Sequence, residues 1–202
     1  MFCYRYYRPL STVLFALTFL FASSVSAQTT TSVRSFGLQT CSAYTETLLG
    51  KRDRNAAILY SQWLAGFLTG RNVTSGKMDL FPIRDPLGEW VRLIALICNM
   101  NKDKRLFEVA EGTLTKLKQY HIKAKDPAVD IKYNGGKSKI TVYKSFLRKS
   151  QSFLRSQGYS VRPDGSWGSR TEKAFSKFKK DKKLSGPSIP DAFFIMALIS
   201  DD

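Results

Sequence analysis

Residues 149–159 read KSQSFLRSQGY, and residues 163–178 read PDGSWGSRTEKAFSKF. In the second stretch Asp164 can accept hydrogen bonds from backbone amides of its own turn, and Gly165 tolerates a positive φ. Ser169 opens a Ser-x-x-Glu pattern, the capping box that satisfies free amides at the start of a helix. The two stretches therefore predict a helix, a tight turn and a second helix.

Apolar residues around these stretches extend the prediction to three helices, near residues 141–157, 169–182 and 190–200. Their side chains recur at helical spacing, so that one face of each helix can be buried. The residues that would fill this compact core are Phe146, Leu147, Leu154, Ala174, Phe175, Phe178, Phe193, Phe194, Ala197 and Leu198. We expect a small three-helix domain over residues 141–202.

The same region resembles the peptidoglycan-binding-like domain, a helical module that attaches secreted proteins to bacterial cell wall. The matching residues are Gln151, Leu154, Gly158, Tyr159, Asp164, Gly165, Trp167, Gly168, Thr171, Ala174, Phe178, Leu184, Gly186, Ala197 and Leu198. Lys179 stands where the family usually has glutamine, and residues 161–163 lack the family's glycine. The resemblance implies that this domain binds peptidoglycan.

Six residues of this region are candidate ligand contacts: Tyr159, Asp164, Trp167, Arg170, Thr171 and Lys173. In a shallow groove, aromatic faces would pack on sugar or peptide, and the cations would pair with carboxylates of the stem peptide. The alternative is structural, because turn and core duties alone account for Asp164, Gly165, Gly168 and Trp167.

Residues 28–123 predict a separate helical domain, joined to the C-terminal one by a linker at residues 124–140. Asp126-Pro127 and the run Asn134-Gly-Gly are turn signals that interrupt the helical periodicity. Before them, four amphipathic helices are expected, near residues 41–49, 55–70, 85–98 and 104–120. In the second of these, Leu59, Trp63, Leu64 and Phe67 are spaced to share the buried face. With strand signals nearly absent, the whole chain is predicted to be all-α.

Residues 36–120 resemble the HdeA-like group of small periplasmic helical proteins. The resemblance rests on Cys41, on residues 63–67 (WLAGF) and 70–72 (GRN), and on a tryptophan, a cysteine and an asparagine at positions 90, 98 and 101. The fold of that group has one disulfide, and the group includes acid-stress chaperones and immunity proteins. The two glycines at positions 66 and 70 would let another helix approach closely.

Residues 1–27 have the three parts of a secretory signal peptide. Arg5 and Arg8 supply positive charge, residues 10–22 are apolar, and small residues precede the expected cleavage after Ala27. The apolar run is shorter than the roughly 20 residues that span a bilayer. We therefore expect a periplasmic or secreted product with no transmembrane span after cleavage.

Cleavage would leave two cysteines, Cys41 and Cys98, which in an exported chain predict a disulfide. With the single histidine, His121, they would make a poor zinc site, since close ligand spacing is lacking.

The charge of the chain restricts its partners. The formal net charge of +16 falls to +14 without the two arginines of the signal peptide, and residues 137–202 hold 14 basic and 6 acidic residues, a net +8. Such a field attracts polyanions. Export argues against nucleic acid, so peptidoglycan or another anionic polymer of the cell envelope is the expected partner. A solvated, well-charged surface is the alternative, at residues 177–183 above all.

No catalytic residue is assigned. The sequence shows no motif that pairs an acid with a base or a nucleophile with its base. The carboxylates available are Glu46, Asp53, Asp79, Asp85 and Glu89. We expect no metal and no cofactor. The sequence predicts a non-catalytic envelope protein that binds peptidoglycan and presents its N-terminal domain to a periplasmic protein. The alternatives are an immunity, inhibitor or chaperone-like protein, and an accessory subunit of a wall hydrolase.

Overall fold

The computed structural model describes residues 35–51 and 53–200. All of them belong to one compact unit, residues 33–202. The predicted signal peptide lies outside the described residues. Within residues 35–51 and 53–200, no helix combines the length and the hydrophobicity that crossing a bilayer requires.

The described residues form seven α-helices and one pair of strands. The helices are α1 Cys41–Thr45, α2 Arg54–Ser75, α3 Leu87–Asn99, α4 Leu106–Lys116, α5 Lys144–Ser156, α6 Ser169–Asp181 and α7 Ala192–Ser200. The strands are β1 Ala128–Tyr133 and β2 Ser138–Tyr143. The described residues also form turns of 3-10 helix at Ser35–Leu38 and Lys118–Tyr120 and a π-helical turn at Glu46–Lys51. The prediction of a mostly helical fold, four helices before the linker and three after it, is confirmed.

The prediction of helices alone needs one correction, because the predicted linker holds most of a β-hairpin. β1 and β2 pair antiparallel, from Ala128 opposite Tyr143 to Tyr133 opposite Ser138. Ile131 is fully buried, whereas its neighbours along β1, Asp130 and Lys132, are exposed, as expected of a half-buried strand. In β2 the last four residues, 140–143, are all buried. Asn134 and the two glycines after it adopt positive φ, which reverses the chain.

The predicted disulfide is confirmed. Cys41 and Cys98 are bonded, fully buried and 57 residues apart, so the bond joins α1 to the end of α3. The Tyr44 hydroxyl donates to the Val91 carbonyl at 2.9 Å, between the same two helices. This half of the core is therefore fixed by covalent and polar contacts.

Helix α2 buries Leu64 as expected, with Trp63 and Phe67 packed against the core, and one expected residue of this face is wrong. The buried residues are Tyr60, Leu64 and Leu68, whereas Leu59, expected in the core, is 50% exposed. On the opposite side of α2 lies a face without charges, which we call the outer face of α2. Its members are Ile58, Leu59, Gln62, Gly66, Thr69, Gly70 and Val73. A methyl group added at either glycine of this face would meet no atom within 4 Å.

The two predicted domains share contacts inside this single compact unit. The Glu89 carboxylate on α3 accepts a hydrogen bond from the Ala192 amide, at the first residue of α7, at 2.8 Å. The Arg84 amide donates to the Thr141 carbonyl at 2.9 Å, which ties β2 to the loop before α3. Their division at residues 124–140 stays a prediction, and the described segment between them is hydrogen-bonded structure.

Candidate functional site

Gln151, a buried residue of α5, organises the turn that precedes α6. Its side-chain oxygen accepts from the Gly165 amide at 2.7 Å, and its side-chain nitrogen donates to the Ser166 carbonyl at 2.8 Å and to the Thr171 hydroxyl at 3.1 Å. Gly165 has a φ of +73°, and a Cβ there would lie 2.9 Å from the Lys144 carbonyl oxygen. The turn is therefore fixed to the core by hydrogen bonds and by close backbone packing.

Asp164 closes the turn from the solvent side. Its carboxylate accepts from the Ser166 amide at 2.8 Å. That bond, with smaller contributions that include the Gln151 amide, lowers the pKa of Asp164. The group is thus an anion that shapes the turn. The capping box predicted here is wrong, because Gly168 is the N-cap of α6 and no side chain caps it.

An open surface depression of about 350 Å³ lies beside this turn. It is lined by Arg162, Asp164, Ser166, Trp167, Gly168, Ser169, Arg170 and Thr171. Four of the six predicted contact residues thus come together, at the turn and the first residues of α6. Arg162 was missed in the sequence, and its signal would have been a basic residue just before the Pro-Asp-Gly turn.

Trp167 is partly buried and combines the two roles that the sequence left open. Its ring packs against Phe175, with the ring centres 5.4 Å apart and the planes tilted by 49°. The residue also lines the depression, so part of the indole remains accessible. Trp167 therefore anchors the turn to α6 and supplies an aromatic surface beside Arg162 and Arg170.

The other two predicted residues lie outside this lining. The Tyr159 hydroxyl contacts the Asp181 carboxylate at 3.0 Å, and the Tyr159 ring packs edge-on against Phe178. Burial and the contact with Asp181 raise the pKa of Tyr159. Lys173 is exposed on α6. Tyr159 thus connects the end of α5 to α6, and a role for it or for Lys173 in binding stays a prediction.

Lys179 lies in the core rather than on the charged surface predicted for residues 177–183. Its side chain is 4% exposed, and its ammonium lies 2.7 Å from the carboxylate of Asp191, which is 1% exposed. The ammonium also donates to the Pro187 carbonyl at 2.6 Å, and Asp191 accepts from the Phe194 amide in the first turn of α7. Burial lowers the pKa of Lys179 and raises that of Asp191.

Nothing in the described residues adds a metal centre, since they contain no cluster of three or more His, Cys, Asp or Glu side chains that could hold an ion. Comparison of the chain with protein-family models, with curated proteins and with solved structures found no significant match. The resemblances to the peptidoglycan-binding-like domain and the HdeA-like group therefore stay predictions based on the motif residues.

Proposed function

We propose that the chain is a non-catalytic protein of the bacterial cell envelope that binds peptidoglycan through the depression beside α6. The observation that carries the proposal is the grouping of the Trp167 indole with the side chains of Arg162 and Arg170 around one open surface. An aromatic face packs on a sugar ring, and a guanidinium forms paired hydrogen bonds with a carboxylate such as those of stem peptides.

The hydrogen bonds of the turn divide the roles among these residues. Thr171 is engaged by Gln151, and Asp164 by the Ser166 amide, so both hold the shape of the turn. Arg162 and Arg170 are exposed, and neither forms an ion pair with another described residue. The two arginines are therefore free to pair with an anionic ligand, with Trp167 between the core and that ligand.

We expect the double variant Arg162→Ala, Arg170→Ala of residues 28–202 to lose most of its co-sedimentation with purified peptidoglycan. Both side chains are exposed, so the fold should be unaffected, and each lost charged contact weakens binding by about tenfold. The measurement is the bound fraction at increasing amounts of peptidoglycan. It is made at about 0.1 M and about 1 M salt, where Debye lengths of about 10 Å and 3 Å separate contact from long-range attraction.

The matched control removes two charges elsewhere on the same half of the chain. Lys177 and Lys180 are exposed residues of α6 that do not line the depression. Their double alanine variant should pellet like the parent in high salt. Equal losses in the two double variants, or pelleting that disappears in high salt, would mean that net charge alone attracts the protein to the wall.

A second candidate function is binding of a protein partner by the N-terminal half, and the outer face of α2 favours it. Val73 is 79% exposed and Ile58 and Leu59 are 50% exposed, which is unusual for apolar residues on a single uncharged face. Gly66 and Gly70 leave open space four residues apart, where the backbone of a partner helix fits closely. The occupant that this surface fits is an apolar helix of another envelope protein.

The two glycines give this alternative a test that separates binding from stability. Gly70→Ala should raise the free energy of unfolding by about 1 kcal/mol, because alanine is the better helix former and meets no atom there. Gly70→Leu should keep the monomer folded. It should also abolish the cross-link that a photoreactive amino acid in place of Val73 forms with the partner helix. Lys116, exposed on α4, is the control position. An adduct that survives Gly70→Leu, or forms equally well from position 116, would exclude the outer face of α2 as the docking surface.

A further inference from the structure

A second cavity, of about 460 Å³, lies where the C-terminal ends of α2 and α4 meet the chain around residue 121. Four basic side chains without a carboxylate partner line it, and we call it the basic cavity: Lys77, Lys118, His121 and Lys123. None of the three lysines forms an ion pair with a described residue. The only acidic residue of the lining, Glu111, is paired with Arg71 at 2.6 Å.

Backbone hydrogen bonds hold the walls of the basic cavity in place. Gly76 ends α2 in the left-handed conformation, with a φ of +65°, and turns the chain back. Asp79 and Ile122 then exchange both backbone hydrogen bonds, at 3.2 and 2.8 Å. The Asn72 side chain fixes the same turn by accepting from the Leu80 amide at 2.9 Å. Lys77 and His121 therefore lie on two paired segments, so their positions relative to each other are set by the fold.

His121 contributes a titratable imidazole whose two nitrogens can be told apart by their contacts. Its Nε2 lies 3.0 Å from the Leu114 carbonyl, which can only accept, so Nε2 carries a proton and Nδ1 is the nitrogen that titrates. Burial lowers the pKa of His121 and nearby cations add to this, whereas the Leu114 carbonyl and Asp79 oppose it. The charged groups that act on the ring are Lys77, Lys118 and Asp79. Arg71, Glu111 and Lys123 line the same cavity. Cations predominate among them, and they disfavour the imidazolium.

We propose that the basic cavity binds a phosphate group, with Lys77, Lys118 and Lys123 as charged ligands and His121 as a further donor once it is protonated. Several ammonium groups around one cavity suit a dianion with three oxygens better than a monoanionic carboxylate, and lysine binds phosphate as a point charge. A bound dianion stabilises the imidazolium, so anion binding and protonation of His121 favour each other. The proposal does not depend on peptidoglycan binding at α6.

His121 is the only histidine of the chain, so its imidazole NMR signal reports on this cavity alone. The experiment titrates residues 28–202, purified without a histidine tag, against pH in chloride and in inorganic phosphate at equal ionic strength. We expect phosphate to raise the measured pKa of His121 by about half a unit or more, which corresponds to about threefold tighter binding to the protonated form. Sulfate, whose charge is constant in this range, should act in the same direction.

Variants test the geometry. Lys118→Ala should abolish the effect of phosphate, whereas Lys137→Ala, which removes an exposed lysine of the hairpin turn, should preserve it. Without phosphate, Lys77→Ala should by itself raise the pKa of His121, which checks that the two side chains are neighbours in solution. A sugar phosphate that acts more strongly than inorganic phosphate would indicate a larger phosphorylated ligand, and equal effects would indicate recognition of phosphate alone. The proposal is overturned if phosphate acts no more strongly than chloride, or if Lys118→Ala and Lys137→Ala behave alike.

Discussion

Replacement of Lys179 by methionine should lower the free energy of unfolding by about 3–5 kcal/mol at neutral pH, the cost of leaving one charge of a buried pair without its partner. In the parent the ammonium of Lys179 lies 2.7 Å from the Asp191 carboxylate, with both side chains almost fully buried. Methionine fills a similar volume, so the loss measures the unpaired carboxylate rather than a hole in the core. Urea denaturation followed by far-UV circular dichroism gives the difference.

Two further variants decide whether the charge is the cause. Lys180→Met changes the neighbouring exposed lysine and should cost little. The double variant Lys179→Met, Asp191→Asn should recover a large part of the loss, because no buried charge remains.

The dependence on pH has a definite sign. Burial raises the pKa of Asp191 above its unfolded value of about 3.9. Without the lysine, the Asp191 carboxyl therefore takes up a proton when the Lys179→Met variant folds. The loss in free energy of unfolding relative to the parent should therefore shrink as the pH is lowered. A deficit that is independent of pH, and that the double variant retains, would show that packing and not charge is lost.

Replacement of both bonded cysteines by alanine should cost about 4 kcal/mol of folding free energy, the loop-closure value for the sequence separation of 57 between Cys41 and Cys98. The two positions are fully buried between α1 and α3, so loss of the bond also releases the short helix α1 from the core. Thermal unfolding of the parent with and without reductant, beside the alanine variant, measures the effect.

Two observations separate the bond from the side chains. The parent in reductant should unfold at nearly the same temperature as the alanine variant, whereas reductant should leave the alanine variant unchanged. If reductant hardly lowers the unfolding temperature of the parent, the buried aromatic packing around Tyr44 and Trp90, and not the disulfide, determines the stability of this half.

The helices could be predicted from the sequence because their apolar residues repeat with a helical period, whereas the hairpin was missed. Val129, Ile131 and Tyr133 alternate with polar residues as in a strand, but the turn residues after them were interpreted as a flexible connection. A strand of six residues has too few apolar positions to stand out from a charged linker, and only its partner strand reveals its register. Leu59 was wrongly placed in the core. It directly precedes the buried Tyr60, and adjacent residues on a helix point in directions about 100° apart, so both cannot lie on the same face.

The candidate site was predicted in part, and the successes are local. Trp167, Arg170 and Thr171 come together with Asp164 because one turn and the start of one helix hold them, so neighbours in sequence are neighbours in space. Burial of Lys179 was not predictable, because its carboxylate partner lies twelve residues away and nothing in a run of lysines marks one as paired. The basic cavity escaped notice for the same reason, since its lysines come from chain segments about forty residues apart.

The hydrogen bond from the Ala192 amide to Glu89 also has a mechanical consequence. Because the Arg84 amide also binds β2, two hydrogen bonds join the half that carries the depression beside α6 to the half that carries the outer face of α2. A folded unit of about 170 residues has a radius of gyration of about 15 Å. If the depression binds peptidoglycan as proposed, a protein bound to the outer face of α2 would therefore be held at a fixed distance from the glycan and in a fixed orientation.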